Sequence, residues 1–181
     1  MRENARISRK IAEILELPRE AIEEGVRHLQ PFRFQKVTIG QCLFVLDVGH
    51  NPMALNRVLS DAKQRFVGKS LRVLLGMSMG RSAEEFVRVA FEFSEYVHMI
   101  SNDHIRIVKF GELVEAAEKI GQRTQHSGEV LEVLQELVRR DSPNEVVVVI
   151  GSCFLMESVT NAFRSFGLEI GDNLADASDV A

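Results

Sequence analysis

The 181-residue sequence predicts an α/β three-layer sandwich with a mainly parallel sheet and an antiparallel edge or hairpin at its start. From residue 36 onward, short β-rich runs alternate with amphipathic helical stretches, the rhythm of strand–helix–strand units. The run Glu145-Val146-Val147-Val148-Val149-Ile150 is continuously β-branched, which fits a strand covered by helices on both faces. Residues 36–40 and 41–47 form two strand-like runs joined at Gly40-Gln41, which predicts the hairpin.

Composition narrows the function classes. Charged residues make up 27% and hydrophobic residues 45%, an ordinary balance for one well-buried soluble domain, alone or with an appendage. The net charge of −4 gives no general attraction to nucleic acid or anionic membrane, and the basic residues are scattered. No apolar run approaches the roughly 20 residues needed to span a bilayer, and the polar start Met1-Arg2-Glu3-Asn4 lacks a signal-peptide core. Cys42 and Cys153 fit no metal pattern and read as buried free thiols in a reducing compartment. The histidines at 28, 50, 98, 104 and 126 lack ligand spacing, so no metal site is expected.

Taken in order, residues 5–16 place Ile7, Ile11 and Ile14 on one helical face, and Pro18 interrupts. Residues 19–30 form a second amphipathic helix with Ile22, Val26 and Leu29 inward. Both helices need a surface to cover them, either the sheet that follows or a preceding domain. The linker Pro31-Phe32-Arg33-Phe34-Gln35 holds a basic residue between two aromatics.

The second strand runs into Asp47-Val48-Gly49-His50-Asn51-Pro52. Gly49 permits a tight turn, Asn51 is a helix N-cap, and Pro52 suits the first helical position. The helix beyond carries Leu55, Val58, Leu59, Ala62 and Phe66 at helical spacing. Such a junction aims unpaired N–H groups and a positive dipole end outward, which suits an anionic ligand flanked by Asp47 and His50. An ordinary strand-to-helix turn is the competing reading.

Residues 71–75 are the next strand, and a helix from Ser82 turns Phe86, Val89, Ala90 and Phe93 inward. Residues 96–101 are another strand, residues 105–110 a shorter extended piece, and residues 112–120 a helix stopping at Gly121. Ser127 is placed to cap a helix burying Val130, Leu131, Leu134, Leu137 and Val138, broken at Pro143-Asn144. After the strand at 145–150, Gly151-Ser152 opens a last helix with Leu155, Val159, Ala162, Phe163 and Phe166. The tail from Gly167 is acidic, rich in small residues, and expected to be mobile at its end.

Ligands of open α/β sheets gather at the carboxyl ends of parallel strands, which singles out residues 47–51, 76–82 and 151–152. Residues 76–82 lie where a phosphate loop would, but one residue is missing from GxxxxGK[ST] and Arg81 stands in place of lysine. Arg81 could pair with a phosphate or carboxylate, or remain solvated. GxGxxG and GxSxG are absent, so the chain has a Rossmann-like rhythm without dinucleotide or serine-hydrolase chemistry. Ser152 sits where a hydroxyl and helix amides bind a carboxylate, though a simple cap looks the same.

Arg33-Phe34-Gln35, Leu46-Asp47-Val48-Gly49-His50-Asn51-Pro52 and Val149-Ile150-Gly151-Ser152 together resemble the C-terminal domain of folylpolyglutamate and dihydrofolate synthases, in the Mur ligase superfamily. That family typically shows a Gly-Arg-Phe linker, an Asp-x-Ala-His-Asn-Pro turn and a late Thr-Gly-Ser turn, and the resemblance spans residues 5–165. Phe32, Gly49 and Ile150 depart from the pattern, and Gly80-Arg81-Ser82 keeps only the basic member of an acidic–basic–acidic trio.

The resemblance implies a ligase that activates a folate carboxylate with ATP and Mg2+ as an acyl phosphate, which the amine of glutamate then attacks. It further implies that Arg33 faces the ATP phosphates, that Asp47 contacts the ribose or the hinge, and that His50 and Ser152 hold glutamate. Residues 1–30 would be the helical tail of a preceding ATPase domain that carries the phosphate loop, with residues 31–166 the ligase C-terminal domain and 167–181 a tail. The chain alone would then be inactive, in the cytosol or a mitochondrion, without nucleic-acid or membrane partners. The alternatives are a peptidoglycan Mur ligase domain and a non-catalytic binding module.

Overall fold

The computed structural model describes residues 2–27 and 31–168. Two compact units meet in sequence at Pro31-Phe32. In the first, α1 (Arg2–Ile14) and α2 (Arg19–Arg27) are joined by an Arg9–Glu23 ion pair at 3.3 Å, and Ile7, Ile11, Ile14, Leu15 and Leu17 are all exposed. The expected continuation of α2 to Gln30, with Leu29, lies outside the described residues, as does the side chain of Val26.

The second unit is built on the hairpin β1 (Gln35–Ile39) and β2 (Cys42–Asp47), antiparallel, with Gly40 turning the chain at φ 58°. Both the backbone N–H and the side-chain amide of Gln41 donate to the Asp141 carboxylate (2.9 and 3.2 Å), which pins the hairpin tip. The remaining elements are α3 (Pro52–Arg65), β3 (Ser70–Leu75), α4 (Ala83–Phe93), β4 (Tyr96–Ser101), α5 (Phe110–Lys119), β5 (Gly128–Glu129), α6 (Val130–Arg140), β6 (Glu145–Ile150), a 3-10 turn (Cys153–Leu155) and α7 (Met156–Ser165).

The strands form one six-stranded sheet in the order β1-β2-β6-β3-β4-β5, parallel apart from the β1–β2 pair. It is a Rossmann-like α/β sandwich. Strand alternation divides the core into two layers. On one face Val45, Val73, Leu75, Val97, Met99 and Val148 meet Leu55 and Leu59 of α3, Phe86 of α4 and Leu113 of α5. On the other, Phe44, Leu46, Leu74, Val147 and Val149 meet Leu134 and Leu137 of α6 and Phe163 of α7.

Register then sets where a ligand can sit. Asp47, Ile150, Leu75 and Met99 follow one another along the row, so β2, β6 and β3 end level while β4 runs two residues further, to Ser101. Helix α3 leaves β2 for one face, whereas α7 leaves the adjacent β6 for the other. The carboxyl ends of β2 and β6 are therefore a topological switch point, where diverging loops open a crevice.

Several local expectations are corrected. Ser127 does not cap α6: Glu129 precedes the helix without a side-chain cap, and the Ser127 hydroxyl instead accepts from Met99 N–H and donates to Gln125 O. Leu131 is 43% exposed; Val133 fills that part of the inner face. The piece at 105–110 is not a strand: it makes one isolated bridge, Ser78 with Ile107, and Phe110 already starts α5. Cys42 is buried but Cys153 is exposed, because the 3-10 turn carries it outward while Leu155 and Met156 fill the interior. The tail beyond Leu168 lies outside the described residues.

Candidate functional site

Each turn of the switch point is fixed by backbone chemistry. The Asp47 carboxylate ends β2 and accepts two main-chain N–H groups, from Gly49 (2.7 Å) and Phe34 (2.9 Å). A β-carbon on Gly49 would come within 3.1 Å of Asp47 Oδ1, so glycine lets the turn close on the carboxylate. Burial raises the Asp47 pKa, against the two amides and the Arg33 and Arg57 charges that favour ionisation. Asn51 caps α3 as its sequence predicts, accepting from Ala54 N–H at 2.8 Å.

His50 is exposed beyond this turn. Its Nδ1 lies 3.2 Å from the Val48 carbonyl, which can only accept, so Nδ1 is the donor and Nε2 has no partner among the described residues. Arg33 is also exposed, between Phe32 (φ 57°) and Phe34 (φ 55°), both in the left-handed region. The glycine typical of the linker would take Phe32's conformation without strain. Here the shape is held by Val48 N–H to Phe32 O (3.0 Å), Phe32 N–H to the Gln35 side chain (3.0 Å) and Phe34 N–H to Asp47. The linker is thus tied to the crevice through Asp47.

Across from Asp47, Gly151 (φ 121°) and Gly76 pack backbone against backbone. A β-carbon on Gly151 would fall 1.7 Å from Gly76 O, and one on Gly76 would strike Leu155 at 2.1 Å. That contact brings Ser152, fully buried, to 2.8 Å from the Ser78 hydroxyl, while Ser152 Oγ also accepts Phe154 N–H at 3.1 Å.

The loop after β4 was not legible in sequence. Asn102 Nδ2 donates to Phe154 O and Ser158 Oγ, both at 2.9 Å, fastening this loop to the 3-10 turn. His104 stacks on Phe154 (4.4 Å between centroids), and the Arg106 guanidinium lies 5.0 Å from the same ring. The only available signal was the basic and aromatic content of residues 102–110 just past a strand end.

Arg33, Asp47 and His50 thus belong to the linker and turn at the end of β2 and Ser152 to the turn after the adjacent β6; Arg33 and His50 are exposed, whereas Asp47 and Ser152 are buried. Arg81 is exposed near the start of α4, one residue past Gly80 (φ 85°), and forms no hydrogen bond or ion pair with the described residues. A cavity of about 220 Å³ lies at the opposite end of the sheet, between Phe66, Leu71, Phe93 and Tyr96. Two of its polar groups are engaged locally, Lys69 Nζ with Pro143 O and Ser94 Oγ with Leu71 O, and it lies away from the turns at the strands' carboxyl ends. Among the described residues no group of three or more His, Cys, Asp or Glu could hold a metal ion, and no helix is long and apolar enough to cross a membrane.

A mainly parallel sheet with polar turns at its switch point defines a Rossmann-like α/β domain. Residues 32–153 match the family described as Mur ligase, glutamate ligase domain, and the chain belongs to it. Among solved structures it is similar to a folylpolyglutamate synthase of Thermotoga maritima (26% identity, TM-score 0.69, covering 94% of this chain and 39% of that one). It is also similar to a bifunctional folylpolyglutamate/dihydrofolate synthase of Yersinia pestis with AMPPNP and Mn (25%, 0.64, covering 82% and 35%). A bifunctional synthase of that kind with Mn, AMPPNP and L-glutamate bound is similar at 25% identity and TM-score 0.67, again covering 82% and 35%. The chain spans little more than a third of these structures' lengths. No curated protein sequence matches it.

Proposed function

We propose that this chain is the glutamate-side domain of an ATP-dependent amide-forming ligase that adds glutamate to a folate through an acyl phosphate. The observation that carries this reading is the pairing of the Asp47–Asn51 turn with the Gly151-Ser152 turn at the switch point of a glutamate ligase domain. The folate assignment, over a peptidoglycan one, rests on the folate ligases among the similar structures at 25% identity or above.

The residues fit distinct tasks. The Nε2 of His50 orients the glutamate amine and can take its proton, since a nucleophilic amine must be neutral. Arg33, exposed at the crevice and held rigidly, would pair with ATP phosphates, where a delocalised cation stabilises developing charge. Asp47, with both oxygens on backbone amides, fixes the linker that carries Arg33, which supports its hinge role over a ribose contact. Arg81 reaches solvent and can meet an anion brought by another domain. ATP with Mg2+, when bound, supplies the activating phosphoryl group, and a preceding ATPase domain would hold most of it. The exposed isoleucine face of α1 would belong to that domain, and the chain alone would be inactive.

Calorimetric titration with L-glutamate, against acetate and D-glutamate, tests the reading. Saturable binding selective for the L-isomer is expected, and no binding would overturn it. Incubation with ATP, glutamate and tetrahydrofolate should release no phosphate; turnover by this chain would overturn its assignment as half a site.

A further inference from the structure

The Ser78–Ser152 pair holds one proton more than its internal contacts use. A hydroxyl has one donor site and two acceptor sites. Ser152 Oγ already accepts Phe154 N–H, and its second partner is Ser78 Oγ at 2.8 Å. If Ser78 donated, Ser152 would accept twice, and its own proton would be stranded on a side chain with 0% exposure. Burying an unpaired O–H is costly. If Ser152 donates, its proton is paired and one of its acceptor sites is filled, and the half-buried Ser78 keeps its proton for the crevice. Accepting that bond also makes Ser78 a stronger donor.

The backbone aims Ser78 there. Residues 77–79 run extended against 106–108, through Met79 N–H to Arg106 O (2.8 Å), Val108 N–H to Met77 O (2.9 Å) and the Ser78–Ile107 bridge. Met77 is fully buried in the α3–α5 layer of the core, so alternation turns Ser78 to the opposite side, toward Ser152. The side-chain-free contact of Gly76 with Gly151 permits the approach.

We propose that Ser78 is the hydroxyl that donates to a carboxylate of the incoming amino acid, and that Ser152 is a positioning residue acting through it. This rests on the glutamate-side reading above. L-glutamate titrated into the 181-residue chain, followed by amide NMR, tests it with S78A, S152A and the double variant. S78A is expected to weaken glutamate about tenfold and, because it strands the buried Ser152 proton, to lower Tm slightly while the chain stays folded; S78T is expected to restore binding to within about twofold. S152A is expected to weaken it about threefold and to lower Tm, and the double variant to bind no more weakly than S78A. Binding by S78A within about twofold of the unaltered chain overturns the assignment of Ser78. Additive losses in the double variant overturn the positioning role. The S78A and S78T arms decide the first point even if S152A does not fold. No saturable response in the unaltered chain overturns this proposal and the glutamate-side reading together, whereas glutamate bound equally by S78A overturns this proposal alone.

Discussion

The sheet buries polar groups at both ends, by contrasting means. At its amino edge Arg72, 1% exposed, makes a bidentate pair with Glu145 (3.0 and 2.7 Å), donates to His98 Nε2 at 2.8 Å and lies 5.0 Å from the Tyr96 ring. His98 carries its proton on Nδ1, toward the His126 carbonyl. Charge there is answered by charge and by ring faces, in a closed circuit. At the carboxyl edge Asp47 is answered by two backbone amides and Ser152 by Phe154 N–H and Ser78, while His50, Arg33 and Arg106 stay exposed. The first edge has its functional groups facing each other; the second is held rigid by neutral dipoles and faces outward. A protein can use either device to stabilise an edge, but only the second leaves groups free for a ligand.

The largest expected effect falls on the contact that forms the carboxyl edge. Gly151→Ala places a β-carbon against Gly76 O at a positive φ and should lower unfolding free energy by about 4 kcal/mol, read from denaturant midpoints. Near-normal stability would show that the two loops are not locked.

Next comes Glu145→Ala at the amino edge. It strands the buried Arg72 charge and should cost about 3 kcal/mol, while any glutamate affinity stays unchanged. A loss of glutamate binding in a variant that remains folded would break the separation of the two edges.

The edges also titrate with opposite sign. Burial, then the Arg72 charge, lowers the His98 pKa to about 4 despite the His126 carbonyl. The unfolded chain takes that proton first, so stability is full above about pH 6.5 and declines as pH falls toward 4, by up to about 3 kcal/mol. Glu145, held below the usual carboxylate range chiefly by its Arg72 hydrogen bond, extends the loss at lower pH. Asp47, raised by burial, contributes stability at acid pH that is lost as pH rises through its folded value. Urea midpoints from pH 7.5 to 4 should therefore show a decline that His98→Asn largely removes; an unchanged slope would contradict the neutral, buried His98.

The smallest effect is at the linker. Asp47→Asn keeps one acceptor and sets an amide N–H2 against a backbone N–H, which should cost about 1–2 kcal/mol. Hydrogen exchange should speed up at the Phe34 amide. Unchanged protection there would show that Asp47 does not hold the linker.

Much of this architecture was legible because it depends on local signals. The β-branched run at 145–150, the Gly40-Gln41 hairpin and the Asn51-Pro52 helix start each follow from neighbouring residues. Arg72 was not legible, since a lone arginine in an apolar strand gives no hint of partners at 98 and 145. Ser78 escaped for the same reason: its partner is 74 residues away, and only the Gly76–Gly151 approach joins them. Ser127 and Leu131 misled because a two-residue strand, β5, claimed the stretch where a cap and helical phase were expected. Cys153 followed a strand, but a 3-10 turn altered its direction.

The most direct test of the account maps L-glutamate onto the chain by amide chemical shifts. The account predicts perturbations concentrated at residues 47–51, 76–79 and 151–154, with the Arg72–Glu145–His98 edge and the groove beside Phe66 and Tyr96 unmoved. Shifts centred on that groove or on the amino edge would contradict it.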